Sequence, residues 1–110
     1  MKTEQPILTT SVTAAAALSK CRFVTTAGAV PAAGAKVLGV TNAAYDLGEQ
    51  AGVGVLGIVL VESGAAVAAD ADLQTDNLGR AITKDAGVYT GRAMDAATDA
   101  GQFIRVVRGI

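Results

Sequence analysis

The chain has 110 residues, enough for one compact domain that buries roughly 65% of the surface its unfolded form exposes. Hydrophobic residues make up 51% of it, but 23 of them are alanine, four are aromatic and none is tryptophan, so the core is thin. Nine basic against ten acidic residues leave a formal charge of −1 without long runs of one sign, which excludes an electrostatic footprint for nucleic acid.

Read from the N-terminus, residues 1–20 form an arm and connector, and residues 21–110 a single β domain. Met1 to Pro6 is polar and extended, and Ile7 to Thr13 has the β-branched composition of a strand. Ala14 to Leu18 could make a turn of helix but is too short to hold one alone, so it reads as a connector. Cys21 to Thr25 is the next strand, followed by an Ala/Gly/Pro loop from Ala27 to Ala35 and a strand from Lys36 to Thr41. Val53 to Glu62 is the longest β segment, and Ser63-Gly64 ends it. The apolar run around it, Ala51 to Val61, has eleven residues with three glycines and falls well short of the ~20 that a membrane-crossing helix needs. Ala65 to Val67 is a weak strand, and Asp70 to Gly79 reads as a polar turn region. Arg80 to Thr83, Val88 to Met94 and Gln102 to Val107 complete an all-β chain whose short, closely spaced strands predict a small barrel or sandwich.

A weak repeat runs through this pattern. Gly39 to Gly48 aligns with Gly91 to Gly101 after a one-residue gap, each copy carrying an Ala-Ala-x-Asp-x-Gly loop between strands. Upstream, Arg22 to Thr25 aligns with Arg80 to Thr83, and downstream Val53-Gly54-Val55 aligns with Ile104-Arg105-Val106. The aspartates Asp46 and Asp99 are expected to bind backbone amides two residues on, and the glycines to take positive φ.

Few residues invite chemistry. The chain has no histidine, which removes the usual general base and the commonest metal ligand. A lone Cys21 excludes an internal disulfide and fits synthesis in a reducing compartment; as a strand residue facing inward it would be inert. Leu18-Ser19-Lys20-Cys21 lacks the hydrophobic stretch that a lipoprotein signal places before its cysteine. Gly52 to Gly57 spells G-x-G-x-x-G, but a strand rather than a helix follows, so no dinucleotide site is expected. Asp70, Asp72 and Asp76 do not meet the calcium-loop spacing, since Gln74, Thr75 and Ala81 occupy the other ligand positions. No metal, cofactor or catalytic residue is therefore assigned. One rival reading remains, a lipoyl- or biotinyl-like carrier presenting Lys84 at a Lys84-Asp85 hairpin tip, although Ile82-Thr83 and Ala86-Gly87 do not match the carriers' motifs.

From Cys21 to Val107 the chain resembles the small phage capsid cement or head decoration proteins. The resembling pieces are Arg22 to Thr25, Lys36 to Thr41, Val55 to Val67, Asp76 to Thr83, and Gly91 to Ala93 through Gly101 to Val106. The resemblance implies a β-barrel-like or sandwich body, made in the bacterial host cytoplasm, that binds the outside of an assembled capsid as a homotrimer and ties major capsid protein subunits together. It carries over no catalytic residue, cofactor, metal, nucleic acid or membrane. For anchoring, the arm residues Ile7, Leu8 and Val12 are expected to add an extended segment to a neighbour's strand edge, or else to pair as the first strand of their own domain.

Overall fold

The computed structural model describes residues 4–109, so Met1 to Thr3 of the expected arm lie outside the described residues. Eight strands occur: β1 (Gln5–Thr13), β2 (Phe23–Val24), β3 (Gly39–Thr41), β4 (Gln50–Glu62), β5 (Asp72–Thr75), β6 (Ala81–Thr83), β7 (Gly91–Ala93) and β8 (Phe103–Arg108). The ladders between these strands are antiparallel, in the order β2-β3-β4-β8-β7-β5-β6, with β1 also on β4, and a single parallel bridge joins Ser63 to Ala81. The sheet nearly closes into a barrel. Across the seam the Phe23 amide donates to the Gly79 carbonyl (2.7 Å) and Gly64 to Ala81 (2.8 Å). Gly79 itself takes φ +80, and a Cβ there would meet the Phe23 carbonyl at 2.7 Å, so only glycine lets the two edges come this close.

β4 is the spine, because its 13 residues are long enough to serve two half-barrels. Its odd positions Ala51, Val53, Val59 and Val61 point inward and are buried, while Ile58, Leu60 and Glu62 face outward. One core cluster gathers Phe23, Val40, Val59, Val61, Val67, Leu73, Ile104 and Val106 with small alanines. A smaller cluster holds Ala14, Leu18, Val24, Ala51 and Val53. The bulky buried side chains are few, as the alanine-rich composition requires.

The repeat is a true structural duplication. β2 pairs β3 through Phe23↔Val40 and Val24↔Gly39, and β5 pairs β7 through Asp72↔Arg92 and Leu73↔Gly91. β3 meets β4 at Val40↔Gly54 and Thr41↔Val53, and β7 meets β8 at Arg92↔Val107 and Ala93↔Val106. β1 and β4 pair as Thr13↔Gln50 and Val12↔Ala51, matched by Glu62↔Phe103 and Val61↔Ile104. Each Asp-x-Gly loop makes the same two-bond bridge, Leu18 with Tyr45 and Val67 with Ala97. The glycines closing them, Gly48 and Gly101, sit at φ +88 and +85 as expected.

Two parts of the aligned repeat need correction. The counterpart of Arg22 to Thr25 is Ala71 to Gln74, and Arg80 to Thr83 falls largely in β6, an extra strand of the second half. Downstream, Ala51 and Val53 correspond to Ile104 and Val106, two residues from the expected match. β5 itself lies inside the segment read as a polar turn, where Leu73, Gln74 and Thr75 are buried. Burial is tolerated because the Gln74 Oε1 accepts the amides of Asp85 (2.8 Å) and Gly87 (2.9 Å).

Cys21 is also not a strand residue: it occupies a turn at φ +57, and its counterpart Asp70 has φ +66. Both amides donate to the strand carbonyl opposite, Cys21 to Thr41 (3.1 Å) and Asp70 to Ala93 (2.8 Å). The left-handed geometry is strained for a side chain, and Asp70 is exposed. Asp70→Gly is therefore expected to stabilise the fold by about 0.5–1 kcal/mol, read as a higher urea midpoint at unchanged slope. An unchanged or lower midpoint would refute that strain.

Candidate interaction surface

The expected anchoring residues all fall on or beside β1, which pairs along β4 of its own chain, with bulges around Leu8. β4 is the only strand partner of β1 among the described residues, so its second edge carries no ladder. Eight of its nine residues are exposed. Ile7 is 80% and Leu8 48% exposed, whereas Val12 turns in against the smaller core cluster, so the three do not share one environment. A strand rich in threonine forms readily because β-branched side chains suit extended backbone, but a ribbon of two strands gains little burial by itself.

The residues considered for chemistry are occupied structurally. Asp76 Oδ1 accepts the amides of Leu78 and Arg80, both at 2.8 Å, and its Oδ2 pairs with Arg80 Nε at 2.9 Å, which makes it a turn-former. Asp99 accepts from the adjacent Ala100 amide (2.8 Å), one residue on rather than two. The side chains that close the two repeat loops are instead the ones just after the glycines. Glu49 Oε1 accepts from the Asp46 amide (2.6 Å) and Gln102 Oε1 from the Thr98 amide (2.9 Å). Among the described residues no group of three acidic or cysteine side chains could hold a metal ion. Gly52 to Gly57 lies wholly within β4, with no helix following.

Lys84 does not sit at a hairpin tip. β5 lies between β6 and β7, so residues 84–90 cross over it, and the Lys84 amide donates to Asp72 (2.8 Å). The loop backbone is fastened by Gln74, and the Lys84 side chain on it is exposed.

Cys21 is 2% exposed and lines a shallow depression with Lys20, Leu60 and Phe103. Burial raises its thiol pKa and Glu4 and Glu62 add to this, outweighing the opposite pull of Lys20. The folded protein is expected to react with iodoacetamide at neutral pH at least tenfold more slowly than the urea-unfolded chain. Equal rates, followed by intact mass, would contradict the burial.

Among the described residues six charged side chains form three ion pairs, while Lys20, Lys36, Lys84 and Arg92 are exposed. Arg22 pairs with Glu62 at 3.1 Å and Arg105 with both oxygens of Asp95 at 2.9 and 3.0 Å. Arg108, whose pKa burial lowers, donates to the carbonyls of Thr90 (2.7 Å) and Leu38 (2.9 Å), pinning the loops before β7 and β3. The surface also offers apolar groups: besides Ile7 and Leu8, Leu47 is 71% and Phe103 46% exposed. Sequence reading missed the Phe103 neighbourhood, although Ile58-Val59-Leu60-Val61, apolar in both phases of the strand alternation, was the available signal.

The family model of phage cement proteins matches residues 1–108. Among solved structures, the N-terminal base of the head fiber protein gp8.5 of bacteriophage phi29 superposes with a TM-score of 0.75. It is 20% identical, over 91% of this chain and 92% of that one, a likeness of fold. No curated protein matches in sequence. The chain belongs to the phage cement protein family, which gives it a structural role at the phage capsid and associates it with the virion.

Proposed function

From that membership, we propose that the chain binds the outer surface of an assembled phage head as a homotrimer and cements neighbouring major capsid protein subunits. The observation that carries the reading is β1, a nine-residue strand with one pairing partner, an open edge and exposed Ile7 and Leu8. An edge of this kind is a template for strand addition, in which main-chain bonds supply affinity and side chains supply selectivity. The arm carries no charged residue from Gln5 to Thr13 that would repel such pairing. Ile7 and Leu8 cover apolar surface on the neighbour, while Val12 ties the arm to the barrel.

Cementing follows from multivalency. Once one arm of the trimer docks, the others bind from a high effective concentration, and occupancy stabilises the assembled shell by mass action. Co-sedimentation tests this reading. The purified protein should saturate matured heads of its native host's phage and leave unassembled major capsid protein unbound. Absence of binding to those heads would overturn it.

A further inference from the structure

The second half of β4 is the stretch of this chain most prone to unwanted strand pairing. Leu56 to Val61 is six residues with no charge, no proline and one glycine, a composition that stacks readily into extended sheets. One of its edges is taken by β8, from Gly57↔Arg108 to Glu62↔Phe103. Along the other edge every second residue turns its backbone groups outward, and each is met by a different piece of the chain. Ile58 pairs with Gln5, the Leu60 amide donates to the Glu4 carboxylate (3.4 Å), and the Glu62 amide donates to the Cys21 carbonyl (2.8 Å). The seat is shaped for this cover. Gly57 takes φ +103, and a Cβ there would meet the Gln5 carbonyl oxygen at 2.7 Å and the Ile7 amide nitrogen at 2.8 Å.

The covering piece is itself unfit to be paired. Proteins blunt a strand edge with charge, with proline and with bulges, and all three fall here between Glu4 and Leu8. Glu4 is charged, Pro6 has no amide to donate, and the register slips on both sides of Leu8. From Thr9 to Thr13, opposite Gly54 to Gln50, the same strand has no charge, no proline and an unbroken register. The blunting devices thus stand only where the neighbouring strand is most apolar. We infer that Glu4–Pro6 is an edge guard: it closes the free edge of β4 at Ile58 and Leu60 against a second copy of this chain, and puts in its place an edge that cannot propagate a sheet. This role is independent of capsid docking and leaves Thr9 to Thr13 as the unblunted part of β1.

Two variants of the full chain test it from opposite sides. Glu4→Ala with Gln5→Pro takes the carboxylate from the Leu60 amide and the Gln5 amide from the pair with Ile58, which lifts the tip and bares β4. Glu4→Gln with Pro6→Val keeps the tip seated but gives it a donor and no charge. None of these positions belongs to a core cluster, so both variants should fold, as checked by circular dichroism. In the first variant hydrogen exchange at the Ile58 and Leu60 amides should quicken at least about tenfold, while Val59 and Val61, turned toward β8, stay protected. At about 100 µM, light scattering with thioflavin T should show the unaltered chain holding a constant mass and both variants growing into β-rich assemblies. Unchanged exchange at Ile58 and Leu60 overturns the guard, as does a bared edge that leaves the mass constant. Should the first variant fail to fold, a constant mass for the second overturns it alone, and so does an unaltered chain that assembles like the variants.

Discussion

Truncating Leu73 to alanine is expected to destabilise the protein by about 3 kcal/mol, within the range for deleting a fully buried leucine side chain. Leu73 is 0% exposed in the main core cluster, where most of its neighbours are valine or alanine. Only Phe23 and Ile104 among the fully buried residues are of similar or greater bulk, so nothing nearby is long enough to fill the gap. A domain of this size has about 5–15 kcal/mol in all, so one side chain carries a large share of the margin. Urea unfolding at pH 7 reads the loss directly, and Leu47→Ala, at a position 71% exposed, should change stability by less than about 0.5 kcal/mol. A loss under about 1 kcal/mol for Leu73→Ala would mean that the core is not organised as described.

The second large effect concerns binding. The double substitution Ile7→Asp, Leu8→Asp places two charges on the most exposed apolar part of β1. Because neither side chain belongs to a core cluster, folding stability should hold within about 0.5 kcal/mol. Affinity for matured heads should fall at least about 100-fold, or about 2.7 kcal/mol, since both charges must be desolvated against apolar surface in the docked state. Quantitative co-sedimentation checks this against Leu47→Asp, which alters a leucine away from the arm that is more exposed than Leu8. Unchanged affinity would remove β1 from the capsid contact.

The strong elements were legible because their residue types leave little choice. Thr and Val in Gln5–Thr13 and the β-branched run of Gln50–Glu62 announced strands, and the Asp-x-Gly loops announced the duplication. The failures have specific causes. β5 is hidden because Asp72-Leu73-Gln74-Thr75 shows one apolar side chain, and the buried Gln74 oxygen is satisfied by partners 11 and 13 residues along the chain. The misaligned repeat follows a shared Arg-x-(Val/Ile)-Thr spelling into β6, whereas cross-strand register, which spelling does not encode, makes Phe23, opposite Val40, the equivalent of Asp72, opposite Arg92. Cys21 reads as a strand residue because its left-handed turn leaves no mark on an ordinary side chain, and the matching Asp70 reveals that turn as a feature of the fold.

For the surface, the apolar arm could be read in advance, but the outer stripe of β4 and β8 could not be separated from the core. Ile58 and Leu60 look like Val59 and Val61 until the pairing register assigns alternate residues to opposite faces.

Cryo-electron microscopy of matured heads mixed with the purified protein tests the central claim most directly. Barrel-shaped density on the outside of the shell, with the arm reaching across a boundary between neighbouring capsid subunits, is the predicted result. Bare shells at saturating protein, or density on the inner surface alone, would contradict it.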